Sequence, residues 1–109
     1  MTEDEARAAL TARLAALDAE DALGAEGQKV VELDQQAVGR LSRMDALQSQ
    51  AMARAQAARR AAERQRIRAA LARLDEGEWG YCTDCGEALE PRRLAADPAV
   101  PRCLSCTRG

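Results

Sequence analysis

A chain of 109 residues with a formal charge of −2 has room for one domain, or for a small domain carrying an extended appendage. Its hydrophobic fraction of 47% is inflated by alanine, Phe is absent, and Trp79 and Tyr81 are the only aromatics, which excludes one thick core. No apolar run reaches transmembrane length, and with no His and no activated nucleophile an enzyme is not expected.

Ala, Arg, Glu, Gln and Leu dominate, the composition of long helices, and Pro is missing until Pro91. Acidic residues crowd the first 34 positions, while the charged residues from Arg40 to Arg73 are mostly Arg, opposed by Asp45 and Glu63 alone. Two such segments can pair as an antiparallel hairpin. Thr2 is suited to an N-cap, with Glu3, Asp4 and Glu5 in the first turn, where the helix dipole favours negative charge. Ala6, Leu10, Leu14 and Leu17 then recur on one helical face. The first helix is expected over about 3–23, stopped by Gly24, with a turn through GAEGQKVVEL.

Asp34 is the expected N-cap of a second helix over about 34–76, ending at Gly77 and on the order of 60 Å long. Ala37, Leu41, Met44, Gln48, Ala51, Ala55, Ala58 and Ala62 alternate in steps of four and three, a small-residue seam for close helix packing. Ile67, Leu71 and Leu74 lie on another face, where the C-terminal module is expected to pack. A shorter first helix would leave Arg59 to Arg66 as an uncovered neck.

After Gly77 come Trp79 and Tyr81, expected to supply most of the packing of a small module, and Pro91 to Ala96, expected to form one or two helical turns. Cys82, Cys85, Cys103 and Cys106 are all the cysteines: two C-x-x-C pairs separated by seventeen residues. That spacing suits a four-thiolate zinc site, because each C-x-x-C turn offers two sulfurs to one side of a tetrahedral centre. Two disulfides would suit a secreted mini-domain, but MTEDEARAAL is no apolar signal segment, and a cytoplasmic location is expected. A redox C-x-x-C pair would need a strand–helix–strand setting that the flanks lack. Below roughly 40 residues a unit usually needs a metal, disulfides or a partner, so one structural zinc ion also explains how 77–109 folds. Four thiolates on a dication add −2, bringing the loaded chain to about −4, no charge for a nucleic-acid binder. The expected fold class is mainly α: an antiparallel two-helix coiled-coil hairpin over 1–76, then a small C-terminal four-cysteine zinc-finger module over 77–109.

GEWGYCTDCGEALEPRRLAADPAVPRCLSC on a helical hairpin resembles the DksA/TraR family of bacterial C4-type zinc-finger proteins. The shared pattern is G-x-x-G-Y-C-x-x-C-G, an R-R-L run, a proline and C-x-x-C; it covers Gly77 to Cys106, and the hairpin matches by architecture. The resemblance implies a monomeric, cytoplasmic transcription regulator that binds RNA polymerase rather than a DNA sequence or a membrane. It implies a coiled coil inserted into the polymerase secondary channel, adjusting initiation, in many members together with the alarmone ppGpp. Better-known members carry D-x-x-D-x-A at the tip; here Asp34 is present, but Val31 and Gln36 replace the first Asp and the Ala. Asp45, in MDA, is a second candidate tip acid, with a solvated helix position as its plain alternative. Arg59 and Arg66 occupy basic family positions, whereas Asp97 and Thr107 stand where DksA-like members are basic, and ppGpp is not among the expected ligands. Two other classes remain: a zinc-ribbon nucleic-acid binder, prompted by the Arg-rich helix, and a thiol sensor that releases zinc on oxidation.

Overall fold

The computed structural model describes the backbone of residues 1–37 and 40–108, and the side chains of 1–25 and 43–108. Four helices follow one another: α1 (Glu3–Ala37), α2 (Arg40–Glu76), α3 (Pro91–Ala96) and α4 (Leu104–Arg108). Among the described residues the one β feature is an isolated antiparallel bridge between Tyr81 and Ala88. The fold class is the expected one, a helical hairpin with a four-cysteine module. The chain forms two compact units, Met1–Leu14 with Arg64–Gly109, and Ala15–Glu63.

Helix α1 begins as expected. The Thr2 hydroxyl accepts from the Glu5 backbone N–H at 3.1 Å and donates to the Glu5 carboxylate at 3.1 Å, a capping pair at the positive end of the helix. Its end is not where the sequence reading puts it. The helix passes through Gly24 to Ala37, so Asp34 lies inside α1 instead of capping α2, and only residues 38 and 39 separate the two helices. One internal glycine costs about 1 kcal/mol relative to alanine, too little to stop a segment rich in helix formers. Gly24 has another role. A Cβ there would stand 3.2 Å from Arg60 Nη2, so the missing side chain makes room for an arginine of α2.

In the unit 15–63, Leu17 is fully buried and Asp21 and Gly24 are half-buried, continuing the α1 face that the Leu pattern marked. On α2 the sheltered positions among the described side chains of this unit are Ala46, Gln50, Ala53, Arg60 and Glu63. The expected small-residue seam is therefore wrong over its described part: Met44, Gln48, Ala51, Ala55, Ala58 and Ala62 are all exposed, and Ala37 and Leu41 lie outside the described side chains. Alanine occurs on every face of this helix and cannot report which one packs. The true row was hidden by its polar members, above all Arg60, whose Nε donates to Asp21 Oδ1 at 2.6 Å with both side chains largely sheltered. The neck at Arg59 to Arg66 is not uncovered either, since Arg60, Glu63 and Arg64 are half-buried.

In the other unit, Ala6 and Leu10 of α1 and Ile67, Ala70 and Leu74 of α2 are buried together with Trp79, Leu89, Leu94 and Ala99 of the C-terminal module. Arg7 Nη2 meets Asp75 Oδ1 at 2.8 Å, which sets the start of α1 beside the end of α2. Gly77 stops α2 as expected: at φ +75° it lets its own N–H reach the Leu74 carbonyl (3.2 Å) and the Glu78 N–H reach that of Arg73 (2.8 Å), the paired bonds of a Schellman cap.

Candidate metal centre

The first C-x-x-C sits on a tight ribbon. The Leu89 N–H donates to the Gly80 carbonyl and the Cys82 N–H to that of Glu87, each at 2.8 Å. Alternation along this ribbon turns Cys82 and Leu89 inward and leaves Tyr81 between them 51% exposed. Tyr81 is thus not the core residue expected; Trp79 is, buried with its indole N–H donating to the Pro98 carbonyl at 2.9 Å. The turn between the cysteines closes when the Gly86 N–H reaches the Cys82 carbonyl at 3.0 Å; Gly86 stands at φ +78°, a conformation L side chains resist.

The second pair is delivered by α3, which starts at Pro91 as expected, and by the bend that follows. Asp97 ends α3 and holds two other groups: its Oδ1 accepts from the Ala99 N–H at 3.1 Å, its Oδ2 from Arg66 Nη2 at 2.8 Å. Helix α4 then carries Cys106, with Thr107 bonding the Cys103 carbonyl through both its N–H (3.0 Å) and its hydroxyl (2.9 Å). Two links join the two halves, Thr83 to Pro101 and Asp84 to Arg102, and one braces the second half from within. The Thr83 N–H donates to the Pro101 carbonyl at 2.9 Å, Arg93 Nη1 to the Arg102 carbonyl at 2.9 Å, and Arg102 lies 3.7 Å from Asp84.

This framework brings all four cysteine sulfurs within 4.8 Å of one another. The cysteines are free, and Cys85 and Cys103 stand 3.7 Å apart, far beyond the roughly 2.05 Å of a disulfide. A tetrahedron of sulfurs at about 2.3 Å from a central ion has edges of about 3.8 Å, so this spacing is that of a metal–thiolate cage. Electrostatics agree. Backbone hydrogen bonding from Cys103, then from Cys85, draws the Cys82 thiol down to about 6, whereas its neighbours' side chains, Cys103 foremost, push Cys106 up to about 12. Cys82 is thereby drawn toward its thiolate form, and a dication among the sulfurs would offset the upward push on Cys106. Cys82, Cys85, Cys103 and Cys106 are the set that would hold one structural zinc ion, with four protein ligands to fill its tetrahedral shell.

The remaining candidate residues are not gathered here. Asp45 and Arg59 are exposed on α2, and the Asp34 side chain lies outside the described residues. Arg66 is committed to Asp97, a pairing across 31 positions that no local sequence signal announces.

Residues 77–109 match the family model of the prokaryotic DksA/TraR C4-type zinc finger. A 41-residue stretch is 44% identical to the RNA polymerase-binding transcription factor DksA of Haemophilus influenzae; it covers 38% of this chain and 28% of that protein's length. Across nearly the whole chain the fold is similar to that of transcription factor DksA2 from Pseudomonas aeruginosa, with a TM-score of 0.84 at 21% identity over 97% of this chain and 80% of that one. No helix of the described residues is long and apolar enough to cross a membrane. Residues 77–109 are thus a C4-type zinc finger of the DksA/TraR kind, in a chain whose fold is similar to that of DksA2.

Proposed function

We propose that this protein is a cytoplasmic, non-enzymatic transcription regulator that binds RNA polymerase directly, through the secondary channel, and modulates initiation. One observation carries the reading: a chain with a C4 zinc finger and a 41-residue stretch 44% identical to an RNA polymerase-binding factor has, over nearly its whole length, a fold similar to that of DksA2. The division of labour falls near Gly77, with the hairpin of 1–76 as the probe and the module of 77–109 as its base. Two antiparallel helices are among the narrowest rigid elements a protein can insert into a channel. Asp34 and Asp45 are the acids assigned to the inserted part. Arg59 is the basic contact on α2, and the exposed Met44, Leu47 and Met52 add apolar surface for a protein partner.

Arg66 fits that role less well. Its guanidinium is neutralised by Asp97, the acid that replaces a basic residue of DksA-like members. A surface paired with itself attracts an anion weakly, which supports regulation without ppGpp; a monomer is the state proposed to act on polymerase. Competition decides the matter. The protein is expected to displace a known secondary-channel factor from core polymerase; no displacement at saturating concentration would sink the proposal. Binding to free duplex DNA that falls steeply with salt would favour the nucleic-acid reading instead.

A further inference from the structure

Arg73 lies on the last turn of α2, where its backbone carbonyl takes part in the Schellman cap. Its side chain lines a cavity of about 380 Å³ whose wall also includes Tyr81, Thr83, Gly86 and the zinc ligand Cys82. Arg73 Nη2 is shut off from water and has no hydrogen-bond partner among the described residues. Sheltered polar groups in native proteins are almost always partnered, and a charged one more so. Its surroundings otherwise disfavour a cation: burial, and then the neighbouring Arg66, lower its pKa from the ordinary arginine value. Glu78 shares the cavity wall but does not bond this nitrogen. Three other arginines about the module are engaged: Arg66 with Asp97, Arg93 with the Arg102 carbonyl, and Arg102 near Asp84.

The metal centre supplies the missing charge. Four thiolates and one zinc ion sum to −4 + 2 = −2, a dianion with Cys82 as its buried corner. We propose that the Arg73 guanidinium is the cation that offsets this dianion, holding zinc in its cage by electrostatics without being a ligand. The orphaned nitrogen is then explained by the charge of the centre whose ligand Cys82 lines the same cavity. Groups just outside a ligand shell tune metal retention, and their loss commonly costs 10–100-fold in affinity.

The test uses the full-length, zinc-loaded protein as wild type, Arg73→Gln and Arg73→Lys. Zinc passing to a chromogenic chelator at fixed pH is followed in low and high salt. Zinc content and Trp79 fluorescence before chelator addition check that each chain starts folded with one ion. Arg73→Gln is expected to release zinc about ten-fold faster, with the gap narrowing as salt rises. Arg73→Lys is expected to stay within about two-fold of wild type, because it keeps the charge. Equal release from Arg73→Gln and wild type would overturn the proposal. So would Arg73→Lys releasing as fast as Arg73→Gln, which would assign the effect to packing, and so would a wild-type chain that never held one zinc.

Discussion

Residues 1–14 and 64–109 bury Ala6, Leu10, Ile67, Ala70, Leu74, Trp79, Leu89, Leu94 and Ala99 and collect four sulfurs. Residues 15–63 bury, among the described side chains, Leu17 and no other large apolar group. The first unit is built like a small metal-stapled domain. The second consists of two helices with strong intrinsic propensity and a sheltered ion pair between them. Two kinds of stability therefore share one pair of helices, and each has its own point of failure. In the first, the metal and the apolar cluster decide whether a fold exists. In the second, Asp21 and Arg60 decide which packing the helices choose, because alanine-rich faces pack nearly as well in any register.

Removing zinc should separate the two most sharply. Structural zinc contributes roughly 10–16 kcal/mol to small zinc-finger peptides, more than 77–109 can replace by burial. Chelation, or Cys82→Ser, is expected to unfold 77–109, with loss of the near-ultraviolet signal of Trp79. Amide protection should also fall in 1–14 and 64–76, whose apolar residues share that core, while much of the far-ultraviolet helical signal survives. Equal loss of helix along the whole chain would show that the two units are not independently held.

A smaller effect is expected inside the apolar cluster. Ile67 is 2% exposed, and Ile67→Ala should cost about 2–4 kcal/mol in a denaturant melt, through lost burial and the cavity left behind. Met52, on the same helix but 64% exposed, provides the contrast, and Met52→Ala should stay within about 0.5 kcal/mol. Comparable costs at the two sites would mean that the exposed face of α2 is packed in solution.

What the sequence made legible follows the same divide. Short-range chemistry reads well: Thr2 caps because Glu5 is three residues away, Gly77 stops α2 because the next residue completes the cap, and C-x-x-C spacing follows from what a tetrahedral ion needs. Partners distant in sequence do not read. Gly24 looks like Gly77 until Arg60 is placed beside it, and Asp97 looks like a departure from a basic pattern until Arg66 is found on it. Periodicity misled where alanine was its carrier, since a residue found on every face marks none. Gly24 also misled as a stop signal, since one glycine costs too little to end a segment rich in helix formers.

The Asp21–Arg60 pair is the next weak point. With side-chain exposures of 37% and 17%, it lies between a surface bridge and a buried one, and Arg60→Ala is expected to cost about 1–2 kcal/mol. The more open Arg7–Asp75 pair, at 47% and 67%, should contribute no more than about 0.5 kcal/mol.

The finest probe is Gly24→Ala, where two opposed terms are nearly equal. Alanine is favoured over glycine in a helix interior by about 1 kcal/mol. Its methyl, however, would stand 3.2 Å from Arg60 Nη2, and Asp21 holds that guanidinium in place at 2.6 Å from Nε. The arginine tip can shift only by loosening its bond to Asp21, so the propensity gain should be cancelled and the net change fall near zero. In an Arg60→Ala background nothing opposes the methyl, and the full gain of about 1 kcal/mol should return. A thermal melt of the four chains followed by circular dichroism reads the coupling directly. If Gly24→Ala stabilised both backgrounds equally, the glycine would be no notch for Arg60, and the register of these two helices would have to be set by something else.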